Sequence, residues 1–170
     1  MIPDNRAFQC IATLPVDFSE APDSFSVAIE EKGFRVRDPR ITYSTFPGET
    51  IRPSGPARVD LLEFPPECSM RYAMCAVAHY GLQCLNVLEL AEIANDAVLF
   101  QMFSALDENG KTRDTVHLLG LGSVFCLGKD PEQFPVVVID RSGEIMIKEM
   151  LVYSLGGYMM PGWLIPVLEK

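Results

Sequence analysis

The sequence predicts a single α+β domain in which an antiparallel or mixed sheet packs against two or three helices. The chain of 170 residues has the length of one domain with its own core. Helical spacing of apolar residues is concentrated in residues 25–32 and 67–96, whereas strand-like runs separated by turn residues fill residues 97–170. Such grouping of helices and strands favours the α+β class, with residues 1–170 as one unit.

Residues 1–66 predict a strand–helix–strand unit followed by a segment rich in proline and glycine. Phe8–Val16 has the composition of a strand, and a Pro-Asp-Ser sequence then introduces a helix over Phe25–Lys32 that Gly33 ends. The next residues, Phe34–Arg37, alternate like a strand. The first half of the predicted helix also alternates, so a strand there is the competing interpretation.

Residues 67–96 are expected to be helical, after a strand over Arg58–Phe64 that two prolines end. The first helix covers the stretch Cys68–Cys84, which holds three of the five cysteines and one of the two histidines. Gly81 is expected to bend or end this helix.

A second helix is predicted to open at Asn86, whose side chain can cap the first turn. Glu89, three positions later, completes a capping-box pattern. Glu89 and Glu92 are expected to point outward, because the apolar residues share the other side of the helix: Val87, Leu90, Ala91 and Ala94.

Two hairpins are predicted in residues 97–170. The first joins strands over Val98–Ala105 and Thr115–Leu127 through Asp107–Gly110, because Asn-Gly is a strong hairpin signal. The second joins Phe134–Ile139 to Glu144–Met150 through the residues between them. The apolar run at 135–139 lacks alternation, which is typical of a strand covered on both faces.

The chain carries more apolar residues than a lone small domain needs. Its mean hydropathy is +0.15, yet the longest nearly apolar run, residues 72–82, is far shorter than the roughly 18–20 residues that span a membrane. The excess is therefore expected to form a dry core, a ligand pocket or a subunit interface. A protein partner or a homo-oligomer is the favoured explanation, and no membrane contact is expected.

Charge and cysteine content exclude other classes of partner. A net charge of −9 argues against binding nucleic acid or an anionic membrane. The acidity is greatest in residues 67–110, which hold one Lys or Arg against six Asp or Glu. The first residues show no secretory signal, and five cysteines form no disulfide scaffold, so a cytoplasmic protein with free thiols is expected.

Cys75 and His79 form the one pattern that suggests catalysis. On a helix, a spacing of four brings the two side chains within reach, and an imidazole beside a thiol can favour the nucleophilic thiolate. No orienting carboxylate or oxyanion site can be assigned. The alternative is a buried thiol beside a hydrogen-bonded histidine. The cysteine and histidine spacings match no zinc pattern, so neither a metal nor another cofactor is predicted.

Five arginines between positions 35 and 58 form a second candidate site. Arg35 and Arg37 would project from one face of a strand and could hold a phosphate or carboxylate. Solvated or ion-paired arginines are the alternative. Gly120 and Gly122 lack the companions of a nucleotide-binding loop, and they indicate a bulge or a close backbone approach instead.

A third candidate site lies near the C-terminal end of the sequence. Tyr158, Met159, Met160 and Trp163 follow two glycines, and aromatic and methionine side chains are common at binding surfaces. The alternative is that these side chains close over one end of the core.

These patterns together favour a cytoplasmic protein-binding module, such as a regulator or inhibitor, that acts through an apolar or acidic surface. Two other classes stay open. One is a thiol-dependent hydrolase or transferase that uses Cys75 with His79, and the other is a module that binds a small anion or nucleotide through the arginines. A binding protein is favoured over an enzyme because no complete catalytic constellation is visible.

Overall fold

The computed structural model describes residues 7–39, 41–42, 45–46, 49–126, 132–143 and 145–170. These residues form an α+β fold with four helices and a mixed sheet, which confirms the predicted class, although with one helix more than expected. The helices are α1 (Phe25–Lys32), α2 (Met70–His79), α3 (Val87–Ile93) and α4 (Asp96–Glu108). The strands are β1 (Gln9–Asp17), β2 (Arg35–Val36), β3 (Pro56–Glu63), β4 (Leu82–Cys84), β5 (Thr115–Leu119), β6 (Gln133–Ser142), β7 (Ile145–Ser154) and β8 (Leu164–Glu169).

The strands are joined in the order β1-β3-β8-β5-β6-β7-β2, with β4 beside β8. Strand β8 is central: one edge pairs with β3, while the other pairs with β5 at Leu164 and with β4 from Val167 to Glu169. Most pairs are antiparallel, and the pairs β5–β8 and β2–β7 are parallel. None of the described helices is long and apolar enough to cross a membrane.

Helix α1 begins and ends where the local sequence signals predict. The Ser24 side chain accepts a hydrogen bond from the Val27 backbone N–H, and Gly33 ends the helix at a φ of 68°. The competing strand over this segment is therefore wrong. The strand that follows is shorter than predicted, because only Arg35 and Val36 pair with β7.

The first predicted hairpin is wrong, because Val98–Ala105 lies within α4. Its buried residues are Leu99, Met102, Phe103 and Leu106, which recur at helical rather than strand spacing. Gly110 adopts a φ of 69° and the Lys111 backbone N–H donates to the Leu106 carbonyl at 2.8 Å. The Asn-Gly sequence therefore closes a helix end rather than a hairpin, because both structures use a glycine at positive φ. Strand β5 is also shorter than predicted, and Leu127 lies outside the described residues.

The second predicted hairpin is confirmed, with a tighter turn and longer strands. Ser142 pairs directly with Ile145, and Gly143 has a φ of 63°. Asp140 and Arg141, expected in the turn, instead belong to β6. The predicted start of the second strand, Glu144, lies outside the described residues.

Helix α3 has the predicted capping box but not the predicted exposure. The Asn86 side chain accepts from the Glu89 backbone N–H, and the Glu89 carboxylate accepts from the Asn86 backbone N–H. Glu89 and Glu92 were expected to face solvent, yet both are buried. Their carboxylates form ion pairs with Lys32 and Arg52, and these contacts replace the hydration that a carboxylate loses on burial.

The core lies in two parts on opposite faces of the sheet. Helices α1, α3 and α4 contribute to the first cluster, together with Val137, Ile139 and Met150 of the sheet. Helix α2 contributes to the second cluster, together with Phe134 and Val136. The predicted close approach at the glycines is confirmed, because a Cβ on Gly122 would lie 2.6 Å from the Cys84 carbonyl oxygen.

Candidate functional site

Helix α2 buries one face and presents the other to solvent. Ser69 caps its first turn by accepting from the Tyr72 backbone N–H at 3.1 Å. Met70, Ala73 and Val77 are buried against the second cluster. The opposite face carries Tyr72, Cys75 and His79, all exposed.

The predicted pair Cys75 and His79 lies on this exposed face. The alternative of a buried packing thiol is wrong, because Cys75 is exposed. Among the described residues, no hydrogen bond joins the Cys75 Sγ atom to the imidazole, and the ring of His79 instead meets the edge of Tyr80 at 5.4 Å between centroids. No group of three metal-ligating side chains is found in the part of the chain that the structure describes. Within the described chain, the arrangement thus supplies a thiol and an imidazole but no third group that would orient them.

The segment between β7 and β8 divides the four predicted binding residues into two pairs. Met159 and Trp163 are buried in the second cluster, as a core lid requires. Tyr158 and Met160 are exposed by 66% and 52%. Both interpretations of this segment therefore hold, each for two of the residues.

Trp163 lies in a small aromatic stack at the end of the sheet. Its ring stacks on His117, with 5.5 Å between centroids and an interplanar angle of 19°, and it meets the ring of Tyr153 edge-on at 4.7 Å. Burial beside these rings lowers the pKa of His117, because the charged imidazolium loses hydration there. The stack fixes the loop that carries Tyr158.

Backbone contacts join this loop to the start of α2. Ser69 and Tyr158 form an antiparallel bridge, the Met70 N–H donates to the Gly157 carbonyl at 3.1 Å, and the Met159 N–H donates to the Cys68 carbonyl at 2.8 Å. Two segments that the sequence singles out separately are thus brought into contact.

Their junction forms an open groove, called the tyrosine groove here, with a volume of about 520 Å³. Its lining residues are Ala7, Pro65, Glu67, Cys68, Ser69, Tyr72 and Tyr158. Tyr72 and Tyr158 are exposed by 56% and 66%, and Glu67 is the one charged residue among the described residues of the lining. Burial, and secondarily the carboxylate of Glu67, raises the pKa of the Cys68 thiol, so this thiol is a weak nucleophile.

A second depression continues from the tyrosine groove. It shares Ala7 and Pro65 with the groove, has a volume of about 460 Å³ and reaches Pro66 and Pro161. The two depressions together form a longer surface that is apolar except for Glu67 and for the Lys111–Glu63 ion pair in the second depression. Such a surface suits an extended chain better than a compact small molecule.

The described arginines of the predicted site divide into two groups: Arg35 and Arg37 lie at β2, whereas Arg52 and Arg58 line one depression of about 450 Å³. Arg35 lies on β2 and Arg58 on β3, five strand spacings apart in the sheet, or about 24 Å. Arg37 is bound by Glu149, with Nε–Oε2 and Nη2–Oε1 distances of 2.7 Å and 2.9 Å. Arg40 lies outside the described residues.

Arg52 is partly exposed, and its guanidinium joins a network built around the buried carboxylate of Glu89. Its Nε atom donates to Glu89 Oε1 at 2.8 Å, and its Nη1 atom donates to Gln83 Oε1 at 2.8 Å. The hydrogen bonds to Glu89 raise the pKa of the Arg52 guanidinium. Asn86 extends the network by donating to the Thr50 carbonyl at 2.7 Å. This network attaches the segment before β3 to the start of α3.

Ion pairs also account for most of the acidic charge in residues 67–110. The pairs are Glu89 with Arg52, Glu92 with Lys32, Asp96 with Lys148, and Asp107 with Arg141. Among the described residues this leaves Glu67, in the tyrosine groove, and Glu108 without an ion-pair partner. The negative potential of this part of the chain is therefore concentrated at few positions, one of them in the groove.

Comparison of the chain with protein-family models, with curated proteins and with solved structures finds no match. The function must therefore be inferred from the chemistry of the site. Sequence reasoning singled out the segment Cys68–Cys84 and, separately, Tyr158, but it missed the groove between them, because no local signal reports the bridge from Ser69 to Tyr158.

Proposed function

We propose that this protein is a protein-binding module that receives an extended segment of its partner in the tyrosine groove. The observation that carries the proposal is the pair of tyrosines, each more than half exposed, on opposite elements of one concave surface. Exposed tyrosines present a large contact area at little cost in side-chain entropy, and they are enriched among the residues that dominate binding energy.

The groove suits a partner segment that carries apolar or proline side chains beside a basic one. Proline-rich segments in an extended helix dock into aromatic-lined grooves of this kind. Glu67 can accept a lysine or arginine at one side, and the net charge of −9 draws a cationic segment towards the protein. The groove thus combines the two kinds of surface that the sequence predicts, because its tyrosines offer an apolar contact and Glu67 an acidic one.

A cytoplasmic location is part of this proposal. All five cysteines are free, which suits a compartment that keeps thiols reduced. The thiol-enzyme alternative gains no supporting contact, because the Cys75–His79 pair has no described orienting group. The anion-binding alternative is less favoured, because Arg37 and Arg52 already bind the carboxylates of Glu149 and Glu89.

The test is selection of peptides from a random displayed library against the folded protein. We expect enriched peptides to combine proline or aromatic residues with lysine or arginine. Tyr72→Ala and Tyr158→Ala should each weaken the selected peptides by about 10-fold to 30-fold, the range expected for a central aromatic contact. Glu67→Gln should weaken peptides with a basic residue more than those without one.

The matched control is Phe100→Ala, which removes an exposed aromatic side chain, 69% accessible, from α4. It should leave the affinities unchanged. The proposal fails if no peptide family is enriched, or if the selected peptides bind the Tyr158→Ala variant as tightly as the parent protein.

A further inference from the structure

Three depressions of the described chain share lining residues and form one continuous surface, called the edge path here. The tyrosine groove shares Ala7 and Pro65 with the second depression. The second depression shares Gln9 and Lys111 with a third, which has a volume of about 310 Å³. The third depression is lined by Gln9, Cys10, Ile11, Ala12, Thr13, Asn109 and Lys111. An extended segment bound in the tyrosine groove can therefore continue along the start of β1.

The edge path lies at one end of the sheet. Strand β1 is the first in the strand order, so no further described strand covers its outer side. Four steps of about 3.3 Å separate Gln9 from Thr13, which gives the third depression a length of roughly 13 Å along the strand. About four residues of an extended partner segment fit this length.

The outer side of β1 does not offer a regular ladder to an added strand. Its pairing with β3 shifts in register between Cys10 and Ala12, and the Ile11 carbonyl already accepts a hydrogen bond from Asn109 Nδ2 at 2.8 Å. A bulged and partly occupied edge disfavours the addition of a strand. A bound segment would therefore be recognised in the third depression through its side chains.

The charge of the edge path changes sign along its length. At the tyrosine groove the charged residue of the described lining is Glu67, which has no ion-pair partner in the described chain. In the third depression it is Lys111, whose side chain is 36% exposed. The Glu63 carboxylate lies 3.2 Å from Lys111 Nζ and 3.8 Å from Arg113 Nη2. Two cations thus share one carboxylate, and a positive charge remains at this end.

Arg113 is held in place and keeps Glu63 neutralised independently of Lys111. Its Nη1 atom donates to the Gly162 carbonyl, its Nε atom donates to the Lys111 carbonyl at 3.2 Å, and its side chain is only 17% exposed. The more exposed ammonium of Lys111 can therefore bind a second carboxylate while Arg113 stays beside Glu63.

We infer that the partner segment carries charges in a fixed order: a basic side chain beside Glu67, and an acidic side chain further along the edge path at Lys111. The inference rests on the proposed function and specifies the segment that the tyrosine groove receives. Asp60 does not line the third depression, and its carboxylate accepts a hydrogen bond from Thr13 Oγ1 at 2.6 Å. Among the described lining residues, Lys111 alone sets the sign of the charge there. Charge complementarity at both ends fixes the direction in which the segment binds.

The test scores the order of charges in the peptides selected from the displayed library. We expect the acidic residue to lie always on the same side of the basic residue and at a constant separation, because Glu67 and Lys111 are fixed in the fold. In the tightest peptide, replacement of the acidic residue by its uncharged amide should weaken binding to the parent protein about fivefold, as for a partly exposed ion pair.

Lys111→Met should abolish this difference between the acidic peptide and its amide. Binding of the amide peptide at the parent's affinity also shows that the variant is folded. Lys170→Met is the matched control, because Lys170 is an exposed lysine that lines a different depression. It should leave the fivefold difference intact. A fresh selection on Lys111→Glu should enrich peptides with a basic residue in place of the acidic one.

The inference is overturned if the enriched peptides show no fixed order of charges, or if the amide peptide loses as much affinity on Lys111→Met as on the parent protein. Either result, together with weaker binding to Tyr158→Ala, leaves the tyrosine groove as the proposed site and removes only the extension to Lys111. If no peptide family is enriched, the groove and its extension both fail.

Discussion

Removal of the Arg52 guanidinium is expected to destabilise the fold strongly, because it leaves a buried carboxylate without its counter-charge. The Glu89 side chain is completely buried, and it accepts hydrogen bonds from the Arg52 side chain, the Arg52 backbone N–H at 2.9 Å and the Asn86 backbone N–H at 3.0 Å. Arg52→Met keeps the aliphatic stem and removes only the charged end.

The expected loss is about 3 kcal/mol of unfolding free energy, at the lower end of the 3–5 kcal/mol typical of a broken buried ion pair. Two features place it there. The two backbone N–H groups still bind the carboxylate after the substitution, and the Arg52 side chain is 39% exposed, so water can enter the vacated position. For a chain of this length, such a loss lowers the melting temperature by roughly 6–12 °C.

The assay is urea unfolding followed by the fluorescence of Trp163, the single tryptophan, which is buried in the folded state. Arg71→Met is the matched control, because Arg71 pairs with Glu132 at 2.6 Å while the two side chains are 63% and 46% exposed. Its expected cost is below about 1 kcal/mol. The two variants remove the same chemical group and differ in the burial of the carboxylate.

A double substitution, Arg52→Met with Glu89→Gln, completes the cycle. We expect it to cost less than the sum of the single changes by at least about 1 kcal/mol, because it leaves no unpaired buried charge. The reasoning is refuted if Arg52→Met costs no more than Arg71→Met, or if the two single losses simply add.

Two further predictions follow from groups with shifted pKa values. Burial lowers the pKa of His117 in the folded state, so the unfolded chain binds the proton more readily. The free energy of unfolding should therefore be highest above about pH 6.5 and fall as the pH drops below that value. His117→Phe should reduce this fall, which urea titrations at about pH 7.5 and 5.5 would measure. Burial raises the pKa of the Cys84 thiol to about 12, so Cys84 should resist alkylation in the folded protein while the exposed Cys75 is labelled. Peptide mass mapping before and after unfolding measures both thiols, and equal rates in the folded state would contradict the assignment.

Elements with complete local signals could be predicted from the sequence. Helix α1 has its cap at Ser24 and its stop at Gly33, both set by backbone groups within one turn. The capping box of α3, from Asn86 to Glu89, is equally local. The hairpin of β6 and β7 was found because its turn lies between two strongly apolar runs.

Where local signals fit two structures, the sequence could not choose. The Asn-Gly before residue 111 serves a hairpin or a helix end equally well, because both need a glycine at positive φ. The helix forms because Leu99, Met102 and Phe103 of α4 can all reach the first cluster from a helix but not from a strand. Packing against the rest of the chain, rather than propensity, decided this segment.

The candidate site was only partly visible for the same reason. Tyr158 was predicted as a binding residue and Tyr72 was not, and the bridge from Ser69 to Tyr158 that brings their two segments together has no local signature. The burial of Glu89 likewise depends on Arg52, 37 positions away. An ion pair of this kind cannot be read from either residue alone.

The sequence by itself determined the α+β class, the caps of α1 and α3 and the excess of apolar residues, because these follow from composition and from contacts within a few positions. Only the tertiary structure decided which face of each element is covered. It buried Glu89 and Met159, exposed Cys75 and Tyr158, and joined two distant tyrosines in one groove. The physical reason is that burial and pairing depend on which distant segments meet, and the free energy of those contacts is shared across the whole fold.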